Sequence, residues 1–133
     1  MDFEKLKELL KKDYFATQMG AEITEISEGG AVTVLEVNGN HLNAGNITQG
    51  GVVFTLGDYA MAAAANSRGK LAFSIQNDIK YLLSTTKGAK LRAVAREVSL
   101  GRTISNYAVE VFDQDNRLIA TGSGVFFRKD ANL

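Results

Sequence analysis

The 133 residues carry fifteen basic and fifteen acidic side chains, one histidine, no cysteine and no proline. A chain of this length suits a single domain, read here as residues 1–133, with enough interior for one core. Balanced charge argues against bulk attraction to nucleic acid or anionic lipid. The missing cysteines exclude disulfides, thiolate nucleophiles and Cys-built zinc sites, and the lone His41 excludes a multi-histidine metal site.

Asp2 to Lys12 predicts a short amphipathic helix. Phe3, Leu6 and Leu10 fall near one face, Asp2 is placed to cap the start, and Lys11 and Lys12 suit the negative end of the dipole. The same segment is too charged for a signal peptide, and no apolar run reaches the roughly 20 residues that span a bilayer. A soluble, cytoplasmic protein without membrane partners is the expectation. Tyr14 and Phe15 read as a connecting segment. Ala21–Ser27 and Ala31–Val37 then predict two strands around the turn Glu28-Gly29-Gly30.

His41 to Gln49 is rich in Asn and Gly and reads as a loop. From Gly50 to Asn66 the periodicity becomes helical, with Val53, Leu56, Ala60 and Ala64 in step and Gly69 as a stop. Four further strands are expected at Leu71–Leu83, Ala89–Leu100, Thr103–Phe112 and Leu118–Phe127. They are punctuated at Lys87-Gly88, Gly101 and Asp113 to Asn116. The order implies an α+β fold, an antiparallel sheet with one long helix to cover a face.

That helix is apolar nearly all round, which marks a buried element, and Asp58 is its only charged residue. A carboxylate taken from water without partners costs many kcal/mol, so such a group is paired, protonated or functional. Thr48-Gln49-Gly50-Gly51 opens the same helix, where free backbone N–H groups make an oxyanion or phosphate site. Gly50 and Asp58 lie eight residues apart, about 12 Å along the axis. If both act on one substrate, they must come from two copies of the helix, and the site is shared across a dimer.

His41-Leu42-Asn43 and Gln49 through Asp58 together resemble the signature of PaaI-type hotdog thioesterases. The likeness continues through Asn66-Ser67, Ile79-Lys80-Tyr81-Leu82, Gly101-Arg102 and the strand from Ala120 to Phe127. It implies five or six antiparallel strands wrapped around the long helix. It also implies dimers that often pair into tetramers, and acyl-CoA hydrolysis without metal or cofactor. By position, Asp58 would be the general base or nucleophile and Gly50 the N–H that polarises the thioester carbonyl. Asn43 would orient water or the carboxylate, and Ser74 would assist the same water. Arg102, after Gly101, would meet CoA phosphates, with Arg128 and Lys129 extending the patch.

Gln49 replaces the family's histidine beside the thioester, and Asp78 its usual Asn. Ala44 and Leu83 stand where prolines are common. Gln49 also leaves room for a second reading, an acyl-CoA binding module without chemistry. A hydratase is a third, weakened because the nearest histidine is gone. His41 is a loop-shaping residue or a base, and Tyr59 lines an acyl pocket or packs in the dimer core.

Overall fold

The computed structural model describes residues 1–133. Two short helices, α1 (Phe3–Leu10) and α2 (Tyr14–Met19), precede a hairpin of β1 (Glu22–Ser27) and β2 (Gly30–Glu36). A loop containing a 3-10 turn at Gly39–His41 leads to the long helix α3 (Gly50–Asn66). Strands β3 (Lys70–Tyr81), β4 (Lys90–Leu100), β5 (Ile104–Phe112) and β6 (Leu118–Asn132) complete the chain. All six strands form one antiparallel sheet in the order β1-β2-β4-β5-β6-β3. The sheet curls around α3, as the family resemblance implies. No helix is long and apolar enough to cross a membrane.

Strand alternation explains which face meets the helix. Ala31, Thr33 and Leu35 of β2, Leu91, Ala93 and Ala95 of β4, and Tyr107, Val109 and Val111 of β5 are all buried. They meet Val53, Leu56, Ala60 and the alanines at 63 to 65 of α3 in one core. Full burial of a residue such as Leu56 contributes roughly 1.5–3 kcal/mol. Thr33 on the same face donates its hydroxyl to the Leu56 carbonyl at 2.9 Å, tying sheet to mid-helix. Tyr107 and Phe126 stack edge to face, with centroids 5.4 Å apart.

The structure departs from the sequence reading at both ends. Tyr14 and Phe15 open a helix rather than a connector. Asp13 caps it by accepting from Ala16 N–H, and Gly20 ends it at φ 104°. Six residues with exposed Tyr14 and Phe15 carry too little apolar period to signal a helix. At the other end, β6 runs on to Asn132, five residues past the expected Phe127.

Candidate active site

Asp58 sits in the middle of α3, half-buried, where it lines an open hollow of about 330 Å³ with Phe54, Ser74, Ile75, Gln76 and Asn77. Asn77, on the adjacent edge strand β3, donates its amide Nδ2–H to Asp58 Oδ1 at 2.5 Å. Burial pushes the Asp58 carboxyl above its ordinary value of 3.8; the Asn77 hydrogen bond opposes this, and the charge of Asp13 adds to it. Desolvation dominates, so the group is a stronger base than a free carboxylate.

The start of α3 makes a second hollow of about 400 Å³, lined among others by Asn43, Thr48, Gly50, Val53, Tyr81 and Leu82. Gln49 is the N-cap, and its side-chain oxygen accepts the Gly51 N–H. The Gln49 amide is therefore folded back on its own helix, and only one glycine of the pair keeps a free donor. The Gly50 N–H has no partner within the chain. Tyr81 closes over this turn. Its hydroxyl donates to the Gly50 carbonyl at 2.8 Å, and a Cβ at position 50 would meet its ring at 2.9 Å.

Asn43 is exposed, and its side-chain oxygen accepts from Gly45 N–H at 2.9 Å and Ile47 N–H at 3.3 Å. That spends the oxygen on shaping the loop and leaves the Nδ2 donors free. His41 is buried in the same loop. Its Nδ1 accepts from Asn38 N–H and its Nε2 donates to the Met19 carbonyl at 2.7 Å, so both ring nitrogens are structural. Tyr59 packs inward on the far side of α3, donating to the Leu10 carbonyl at 2.8 Å. Burial pushes its phenol up to about 12.

The candidates thus fall into two groups on one chain: Asp58 with Ser74, and Gly50 with Asn43. The two groups line different hollows, in keeping with their separation along α3. Gly101 and Arg102 join neither. Gly101 makes a tight turn in which a Cβ would strike the Ile104 carbonyl, and Arg128 braces it by donating to the Gly101 carbonyl at 2.8 Å. Arg102 and Lys129 point no charge into either hollow. Two larger hollows, about 620 and 580 Å³, lie against α1 and over β2 and β4, and hold none of the candidates except the edge of Tyr59.

Sequence reasoning missed the contacts of Asn77 and Tyr81. Gln76-Asn77-Asp78 lies inside the expected strand Leu71–Leu83 with nothing local to mark Asn77, and only the register against β6, where Asn77 faces Gly124, shows why it turns inward.

An apolar helix wrapped by an antiparallel sheet, with a carboxylate in mid-helix and a glycine N–H at its start, is the frame of a hotdog thioester hydrolase. The chain belongs to the thioesterase superfamily, whose profile matches residues 45–120, and within it to the PaaI type. An Archaeoglobus fulgidus relative is 40% identical over 94% of this chain and 82% of its own length. The Escherichia coli acyl-coenzyme A thioesterase PaaI is 30% identical, over 87% of this chain and 83% of that one. The solved E. coli PaaI structure superposes with a TM-score of 0.93, at 28% identity, over 98% of this chain and 94% of that one. A Streptococcus mutans protein solved bound to acetyl CoA matches with a TM-score of 0.82, at 27% identity, covering 86% and 92%.

Proposed function

We propose that this protein hydrolyses acyl- or aryl-CoA thioesters to the free acid and CoA, in a site shared by two subunits. Asp58 of one subunit faces Gly50 and Asn43 of the other. Asp58 takes a proton from water, and the resulting hydroxide adds to the thioester carbon. The carbonyl oxygen gathers the negative charge and is held by the free Gly50 N–H; one such donor is worth about 2.7–4 kcal/mol. The C–S bond then breaks, and the CoA thiolate leaves with the proton held by Asp58. Ser74 holds the water in this scheme, a role supported by its lining the same hollow as Asp58. No metal or other cofactor enters the scheme.

One observation carries this reading: a half-buried carboxylate on an apolar helix whose own N-terminal donor lies in a different hollow. Its assembly follows from the sheet. Strand β3 is an edge, with Phe73 54% and Ile75 61% exposed, and an unpaired apolar edge is a template for a second copy. Pairing along β3 would continue the sheet and bring the helices of two subunits side by side. Residues 1–133 form one such unit, and dimers pair again into a tetramer in the cytoplasm.

The test is Asp58→Asn, assayed by thiol release on aryl, short-chain and long-chain acyl-CoAs. The catalytic rate should fall at least about a hundredfold while the dimer stays intact by sedimentation. Near-normal turnover in the variant would sink the assignment. Tight acyl-CoA binding by the wild-type protein without turnover on any substrate would leave it a binding module instead.

A further inference from the structure

We propose that Asn77 is a positioning residue for Asp58, seated by the missing side chain of Gly124, and that it leaves Oδ2 as the carboxylate oxygen that works on water. The proposal deepens the hydrolase reading and rests on Asp58 being the base.

Three observations converge on Asn77. Its Nδ2 holds Asp58 Oδ1 at 2.5 Å, whereas Oδ2 has no hydrogen-bond partner within the chain. The Asn77 side-chain oxygen is buried and unpaired, a desolvation cost that packing alone does not call for. Third, Asn77 stands opposite Gly124 in the β3–β6 ladder. A Cβ on Gly124 would lie 2.6 Å from the Asn77 oxygen, 3.0 Å from Met61 Sδ and 3.1 Å from a Phe126 ring carbon. The amide turns toward α3 because β6 leaves it a space.

The charged groups around Asp58 do not replace this contact. Asp13, the cap of α2, is the one charge that reaches it, and it disfavours ionisation. Asp78 of β3 borders the inner side, but its carboxylate accepts from the Ser123 hydroxyl at 2.7 Å on the outer face. From β5 only Val109 approaches, and from β6 no titratable group does. Asn77 is thus the sole donor that steadies the ionised form within the chain, and it fixes which oxygen is free.

The experiment compares pH profiles of kcat and KM for wild type, Asn77→Leu, Gly124→Ala, Asn77→Ala and the Asn77→Ala/Gly124→Ala pair. Asn77→Leu removes the donor at similar volume, so kcat should fall about ten- to a hundredfold, the range for one hydrogen bond to a charged group, with KM little changed. The acid limb should move to higher pH. Gly124→Ala keeps both polar side chains yet crowds the amide, so it should shift the limb the same way and serves if Asn77→Leu does not fold. In the Asn77→Ala background, adding Gly124→Ala should shift nothing further.

An Asn77→Leu profile that overlays wild type overturns the role of Asn77, and a Gly124→Ala effect equal in both backgrounds overturns the seating. Carbon-13 titration of the Asp58 carboxyl reads the same contact without turnover. Failure here is therefore distinct from failure of Asp58 as the base, which Asp58→Asn decides.

Discussion

Burial of Asp58 sets stability against the basicity on which the proposed mechanism draws, and pH separates the two. Its carboxyl is held above the ordinary value of 3.8, chiefly by desolvation, so the ionised form is costlier in the folded chain than in the unfolded one. The cost is absent below the unfolded value, grows between the unfolded and folded values, and is complete above the folded one. Asp58→Asn should therefore melt a few degrees higher than wild type at pH 7, and the gain should shrink as pH approaches 4. Thermal melts at the two pH values check this. The oddity of Asp58 was legible because a single charge stands out in an apolar periodic helix. Asn77 was not, since burial of a strand residue depends on what β6 places opposite it, and a glycine in another strand carries no local mark.

At the scale of elements, the start of α3 is held by close contacts on both glycines. Ser, Thr, Asp and Asn are the usual caps, and Gln49 takes that place by looping its longer side chain back to Gly51 N–H. That use of Gln cannot be read from the sequence, where the family resemblance implied a residue lying beside the thioester. Gly50, by contrast, was legible as a helix-start glycine, although the reason it must lack a side chain came only with Tyr81 packed over it. Gly50→Ala must push the Tyr81 ring aside. Activity should drop about tenfold or more, and Gly50→Ala/Tyr81→Ala should recover part of the loss, as measured by kcat/KM. Helix α2 escaped notice for a simpler reason: its two caps, Asp13 and Gly20, bracket a segment too short to show a period.

For the whole molecule, the six strands and single long helix follow from alternation and turn residues spread along the chain, so the fold was largely readable in advance. The separation of Gly50 and Asp58 into different hollows was also foreseeable, because eight residues of helix set a length no side chain spans. Complementation tests the shared-site assembly proposed from that separation. Mixing inactive Asp58→Asn and inactive Gly50→Val chains, after dissociation and reassembly, leaves one intact site in each mixed dimer. Activity should return to roughly a quarter of wild type, since half of randomly paired dimers are mixed and each has one of two sites restored. A site built within one chain would recover nothing.

The alanine run of α3 has a consequence for how such an enzyme diversifies. Ala60, Ala63, Ala64 and Ala65 are fully buried in one core with Ala93 and Ala95 of β4. Every enlargement there overfills a packed layer, at about 1–3 kcal/mol each. That half of the helix is closed to innovation. On the proposed site, new substrate preferences arise where side chains still border open space, at Phe54, Ile75, Tyr81 and Leu82. The scaffold thereby confines its own evolutionary search to the rim of the two hollows, and mutational libraries aimed at the acyl group belong there.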